Sequence, residues 1–173
     1  MSAKETNRKS AVPPHWPTKP SQLTIASNEA KPKKVLKIHM EIRPICWEET
    51  IPIRQRVLWP NKPPEYCHLE GDPDASHFGA FIQGQLVCVA SIYFNSNKAR
   101  LRKFATLEEY QGQGVGTQML HFILQSLRKT GIKIFWCDAR ETALTFYRRF
   151  DMQPIGERFY KADVPYFKLQ VTL

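Results

Sequence analysis

Apolar positions alternate in some stretches of the chain and recur every three to four residues in others, and the switches between the two periods outline its elements. Residues 35–43 alternate apolar and polar, as a half-buried strand does, with Pro44 expected to end it. Residues 47–58 have helical spacing, and Pro52 is tolerable there only near the first turn, because proline lacks the N–H that a helix interior needs. Pro60, Pro63 and Pro64 make residues 59–64 a stiff connection. Residues 77–82 and 86–94 read as two strands of a hairpin around Gln83-Gly84-Gln85, and Asn95-Ser96-Asn97 turns the chain into a third strand over 99–107. After a glycine-rich segment, Met119, Leu120, Ile123 and Leu127 recur at helical spacing, with Gly131 as a stop signal. Residues 132–137 are a short apolar run that reads as a buried strand. A second helical stretch follows, then one or two strands between 158 and 172. This order predicts a mixed sheet with helices packed on it, and no internal repeat is visible.

Between the third strand and its helix lies Gln111-Gly112-Gln113-Gly114-Val115-Gly116-Thr117. A strand, a glycine-rich turn and a helix together make an anion cradle. Glycines let the backbone approach a ligand closely, and the first N–H groups of the helix point at it with the positive end of the macrodipole. A phosphorylated ligand is expected. A nucleoside-triphosphate loop needs Lys-Ser or Lys-Thr after the glycines, and neither is present. A dinucleotide fingerprint needs G-x-G-x-x-G, whereas the spacing here is Gly112-x-Gly114-x-Gly116. A glycine-rich turn without a ligand is the plainer reading of this pattern taken alone.

Gln111, Gly114 and Gly116 do match Q-x-x-G-x-G, and the segment resembles the pyrophosphate loop of the GNAT superfamily of N-acetyltransferases, which bind acetyl-coenzyme A. A second match lies at the right distance, where residues 143–152 (ALTFYRRFDM) resemble the family's A-x-x-F-Y-x-x-x-G-F segment. Residues 101–117, with Glu109-Tyr110-Gln111 before the glycines, resemble its central strand and phosphate loop. Asp163-Val164-Pro165-Tyr166-Phe167 falls where many relatives carry a Gly-Ile-Pro-His-like stretch. The resemblance covers residues 36–173 and is specific from 100 to 152. There are two departures: Arg140 stands where relatives often carry an asparagine that contacts the pantetheine arm, and Asp151 replaces a glycine. Arginine offers donors and no acceptor. Aspartate tolerates a left-handed backbone, so a helix C-cap can survive at position 151.

The resemblance implies an α/β (α+β) fold: one GNAT-like domain with a mixed, mostly antiparallel central sheet and helices on both faces. It also implies transfer of an acetyl group from acetyl-CoA, as co-substrate and without a metal, to a primary amine that attacks the thioester directly. Gln111, Gly112, Gln113, Gly114, Val115, Gly116 and Thr117 would hold the pyrophosphate through backbone amides. Phe104, Ala105 and Thr106 would offer backbone hydrogen bonds to the pantetheine and thioester, with Arg140 nearby. Tyr147 would be the general acid, set against the plainer role of a core aromatic between Phe146 and Phe150. His77 is the candidate base, set against a hydrogen-bonded structural histidine; Glu41, Glu70, Asp138, Asp163 or a water chain are alternatives. Cys137 has no histidine partner at readable spacing. Arg54, Arg56, Glu70, Asp72, Tyr160 and Tyr166 are candidates for the acceptor pocket, with Glu70 and Asp72 suiting a cationic amine. A small amine, an amino-acid derivative and a protein amine all fit.

Charge and composition refine this picture. Of the formal charge of +9, residues 1–34 carry +5, from seven basic residues against Glu5 and Glu29, so a domain over 35–173 carries only +4. The basic arm also holds Pro13, Pro14, Pro17, Pro20 and Pro32, shows no sustained period, and reads as disordered or loosely docked. Two other function classes remain in view: a non-catalytic acyl-CoA-binding module, and a nucleic-acid-associated protein acting through the arm. A solvated arm without a nucleic-acid partner is the better reading. Cys46, Cys67, Cys88 and Cys137 form no C-x-x-C pair, and the histidines lack ligand spacing, so reduced thiols, no metal and a cytoplasmic setting are expected. No apolar run reaches the roughly 18 residues of a membrane span, and no secretory apolar segment opens the chain. An edge strand could pair two subunits into a homodimer.

Overall fold

A computed structural model describes residues 21–25 and 38–173. The elements are β1 (Ser21–Ile25), β2 (Ile38–Ile45), α1 (Trp47–Leu58), β3 (Ser76–Ile82), β4 (Gln85–Asn95), β5 (Lys98–Thr106), α2 (Val115–Leu127), β6 (Ile134–Arg140), α3 (Leu144–Arg148), β7 (Gln153–Lys161) and β8 (Val164–Thr172). The strands form one eight-stranded sheet in the order β1-β2-β3-β4-β5-β6-β8-β7. Every neighbouring pair is antiparallel except β5–β6. The α/β (α+β) class and the mostly antiparallel sheet agree with expectation.

The β3–β4 hairpin turns through Gln83 and Gly84, both at positive φ (51° and 79°), the primed geometry whose twist matches its strands. Adjacent residues of β4 then serve opposite faces of the sheet. Ser91 meets Arg54 of α1. Ala90 is paired with Phe78, whose ring meets Phe122 of α2 edge to face at 5.6 Å. Helices α1 and α2 therefore cover opposite faces. Met119, Leu120, Ile123 and Leu127, the periodic positions of α2, are all buried against the sheet. No helix among the described residues is long and apolar enough to cross a membrane.

Several local expectations need correction. Residues 21–25, inside the arm expected to lack strand structure, pair antiparallel with residues 38–42 as β1; the rest of that arm lies outside the described residues. Pro44 does not end β2. The β1 partner stops at Ile42, so the proline sits where one side of the strand has no neighbour among the described residues. Pro52 lies in the second turn of α1 rather than the first, and leaves the Glu48 carbonyl without its helical donor. β7 begins at Gln153, earlier than expected. The left-handed backbone anticipated at Asp151 is present, with φ of 60°.

What holds α1 in place despite Pro52 is a buried polar clamp. Arg54, fully buried, donates to both carboxylate oxygens of Asp72 at 2.7 and 2.9 Å, to the Cys67 carbonyl at 3.1 Å and to Ser91 Oγ at 2.8 Å. Asp72, also fully buried, accepts in addition from the Leu69 N–H at 2.8 Å and from the Tyr93 hydroxyl. Burial alone would raise the pKa of Asp72, but the Arg54 and Tyr93 hydrogen bonds outweigh it and bring it from 3.8 to about 2.

Removing one member of a buried ion pair strands the other charge. Arg54→Leu is therefore expected to lower the unfolding free energy by about 3–5 kcal/mol in denaturant titration, and Arg54→Leu with Asp72→Leu by less than Arg54→Leu alone. Folding depresses the Asp72 value, so its stabilisation is complete above pH 3.8 and disappears as pH falls through about 2. Asp72→Asn should flatten that part of the acid stability profile.

Candidate active site

β5 and β6 pair only from Lys98↔Ile134 to Leu101↔Cys137. Past that point β5 stays with β4 as far as Thr106, while β6 follows β8 to the pair Arg140↔Tyr166. The strands separate, and a cavity of about 740 Å³ occupies the opening. Its walls are β5 from Arg100 to Thr106, the glycine loop with the start of α2, β6 from Cys137 to Arg140, α3, and Trp59 after α1.

The loop's shape follows from its glycines. Gly112 and Gly114 have φ of 71° and 84°, and Gly114 is the N-cap of α2. The first helical bond in α2 runs from the Gln118 N–H to the Gly114 carbonyl, at 3.0 Å. The N–H groups of Val115, Gly116 and Thr117 thus precede the helix's own acceptors, and all three residues line the cavity. Gly116 serves a different end: a Cβ there would lie 3.4 Å from Phe104 Cζ and 3.7 Å from Phe146 Cζ. One expected backbone donor is used elsewhere. The Gln111 N–H donates to the Glu108 carbonyl, and the Gln111 side chain donates to the Thr106 carbonyl at 2.9 Å, tying the loop to the end of β5. Gln113 Nε2 donates to the Glu109 carbonyl at 2.7 Å. The two glutamine side chains brace the loop, and Gln113 does not line the cavity.

Tyr147 lines the same cavity from α3 while only 8% exposed, its ring against Phe146 and its hydroxyl interacting with the Cys137 thiol. Burial, reinforced by Cys137, holds its pKa well above 10, so the hydroxyl keeps its proton. Burial also pushes the Cys137 thiol up to about 12, which leaves it without nucleophilic thiolate. Phe104, Ala105 and Thr106 line the β5 wall, and Arg140 lines the β6 wall with its Nε donating to the Tyr166 hydroxyl at 3.3 Å.

His77 is not brought to this cavity. Its Nε2 donates to the Asp72 carbonyl and its Nδ1 accepts from Ser91 Oγ, each at 2.8 Å, and Ser91 in turn accepts from Arg54. This network fits one neutral tautomer, and burial lowers the pKa despite the hydrogen bond to the Asp72 carbonyl. His77 belongs to the clamp under α1. Arg54 and Asp72 are likewise committed to each other rather than to an acceptor, and Arg56 pairs with Glu109 at 3.0 Å on the surface. Of the carboxylates considered as bases, Asp138 alone lines the cavity, paired with Arg100 at 2.7 Å and Lys161 at 2.9 Å. Burial would raise its pKa, but these cations hold it below the usual range.

Four cavity residues that sequence reasoning passed over are Trp59, Arg100, Arg102 and Lys103. The alternation Arg100-Leu101-Arg102 carried a signal, since it puts two cations on one face of a strand whose other face is core. Lys103 sits at a bulge, where Lys103 and Phe104 oppose Ala90 alone, with φ of 51°. Its ammonium lies 3.9 Å from the centre of the Trp59 ring. Burial first, then the charges of Arg102, Arg54 and Lys161, lower its pKa to about 8.

Residues 61–173 match the family model described as an acetyltransferase (GNAT) domain. The chain is 31% identical over 138 residues to an uncharacterized N-acetyltransferase of Bacillus subtilis, YitI, covering 73% of this chain and 89% of that protein. Among solved structures it resembles Escherichia coli ElaA, with a TM-score of 0.65, 20% identity and coverage of 76% of this chain and 98% of that one. It also resembles a GNAT family acetyltransferase from Elizabethkingia anophelis with acetyl-CoA bound, with a TM-score of 0.61, 15% identity and coverage of 78% and 98%.

The two kinds of glycine predict different mutant behaviour. Gly114→Val forces a β-branched residue into a left-handed backbone, at roughly 1–2 kcal/mol, which should lower the melting midpoint by about 2–8 °C. Gly116→Val meets Phe104 and intrudes on the cavity without that backbone strain. Melting curves should separate the two, whereas calorimetry should find acetyl-CoA binding weakened in both.

Proposed function

Because the chain belongs to the GNAT acetyltransferase family and is an acyltransferase, we propose that it moves the acetyl group of acetyl-CoA to a primary amine by direct attack in a ternary complex. The observation that carries this reading is the meeting of a helix-start amide cradle and a protonated, buried tyrosine hydroxyl in one cavity, at the point where β5 and β6 part. Acetyl-CoA, when bound, supplies an activated acyl group and a thiol leaving group; the rest is positioning and proton handling by the chain.

The amides of Val115, Gly116 and Thr117 hold the pyrophosphate, with the α2 dipole behind them. The backbone edge of β5 from Arg102 to Thr106 has no β6 partner and is available to amide-bearing ligand groups entering the opening. Tyr147 keeps a proton on its hydroxyl for the departing thiolate. Asp138, ionised and doubly paired, is a weak base, and His77 lies outside the cavity. The amine's proton is therefore assigned to water at the cavity mouth.

Tyr147→Phe keeps the ring and removes the proton. A fall in kcat of about 10²–10⁴-fold is expected, with acetyl-CoA affinity unchanged by calorimetry. Wild-type turnover by this variant would remove Tyr147 from the mechanism.

A further inference from the structure

The acetyltransferase reading leaves the acceptor undefined, and the charge on the cavity walls bears on it. Arg100, Arg102, Lys103, Arg140, Arg149 and Lys161 line the cavity against a single carboxylate, Asp138, and that carboxylate is already shared by Arg100 and Lys161. Arg102 and Lys103 have no carboxylate partner among the described residues. The glycine loop follows β5, so these two residues lie back along the strand from the pyrophosphate cradle, beside the point where β5 leaves β6.

Both cations are held in place. The Arg102 guanidinium lies 4.8 Å from the centre of the Tyr93 ring, and the Tyr93 hydroxyl is anchored on Asp72, which Arg54 clamps. The Lys103 ammonium rests on Trp59. Its left-handed backbone is one that glycine or asparagine would adopt at lower cost. Partly desolvated cations without counter-charges raise the energy of the empty site and are relieved by an anion. The same field repels an acceptor that brings only positive charge. The adjoining hollow, which shares Arg100 and Asp138, adds Lys168 and Glu157 of opposite sign and does not alter this balance.

Resting on the acetyltransferase reading, we propose that the acceptor is a small amine that itself carries an anionic group, a carboxylate or a phosphate ester, bound by Arg102 and Lys103 beside the β5–β6 opening. The anion meets the two cations while the amine is presented toward the opening. Polyamines and lysine-rich peptides are excluded as preferred acceptors by the same charges.

The test is calorimetric titration of matched amines into the full-length protein saturated with CoA, together with initial rates of acetyl transfer. The pairs are β-alanine against propylamine and O-phosphoethanolamine against ethanolamine, with spermidine as the cationic control. Charge-assisted contacts favour the anionic member of a pair by about 10–100-fold in affinity and in kcat/KM, and the pair with the larger ratio tells carboxylate from phosphate. Arg102→Gln and Lys103→Asn, the latter chosen because asparagine accepts the left-handed backbone, should each shrink that ratio by about tenfold, and Arg102→Lys should restore part of it. Neutral or cationic amines binding as well as anionic ones, with CoA bound normally, would overturn the acceptor class alone. Variants that weaken CoA and leave the amine ratio intact would reassign the cations to the cofactor. Failure of the wild type to bind either CoA or acetyl-CoA would overturn the acetyltransferase reading and this proposal with it.

Discussion

The short parallel contact between β5 and β6 is the constraint on which the site depends. Each strand keeps its other neighbour beyond Leu101↔Cys137, β4 for β5 and β8 for β6, so both remain ordered while their facing edges come apart. Unpaired backbone groups inside a fold carry a desolvation cost unless something accepts or donates to them. The opening thus suits a ligand that itself has amide donors and acceptors in an extended arrangement, bound as a strand is added to a sheet. The glycine loop is held close to that opening, because only Leu107 and the turn Glu108–Tyr110 separate it from β5 and its Gln111 is tied to the last carbonyl of that strand.

The two faces of the sheet divide the work. On the α2 face the interior is apolar, and Tyr147 enters it from α3, so that burial, with Cys137 beside it, raises the pKa of the hydroxyl. On the α1 face the interior is polar: Arg54, Asp72, His77, Ser91 and Tyr93 form one buried hydrogen-bond network, which leaves only Arg54 Nε without a partner among them. Such a network adds little net stability over an apolar packing of the same volume, but it is unforgiving of partial loss. Its outer member, Tyr93, reaches the cavity wall through Arg102. The position of α1 and the position of a cavity cation are therefore set by the same hydrogen bonds.

How legible this was in the sequence depended on whether the signal was periodic or tertiary. The bounds of α1, the β3–β4–β5 meander and α2 followed from apolar spacing, and the glycine loop from a pattern whose φ values demand glycine at 112 and 114. The strand at Ser21–Ile25 was hidden because five residues in a proline- and lysine-rich segment give no sustained alternation; its pairing with β2 supplies the missing stabilisation. β7 is an exposed edge strand with almost no buried positions, so its start at Gln153 left no hydrophobic trace. His77 was the instructive case. Its residue type and polar surroundings suited a base, but only the fold reveals that both ring nitrogens are engaged beneath α1.

The bulge at Lys103 left no mark in the sequence either, and it concentrates the site's physics in one residue. A non-glycine residue at φ of 51° costs on the order of 1–3 kcal/mol, and such strain persists where the surrounding structure over-determines it. Here β4 fixes both sides of the bulge, with Ser91↔Arg102 before it and Val89↔Ala105 after it, and Trp59 receives the side chain. The extra residue shifts the register, so that the residues following it meet the opening differently from those of an unbroken strand. A glycine at this position would relieve the backbone and surrender the ammonium. That a long cationic side chain occupies it, against backbone preference and against desolvation, locates the strain at the wall of the β5–β6 opening rather than at the glycine loop.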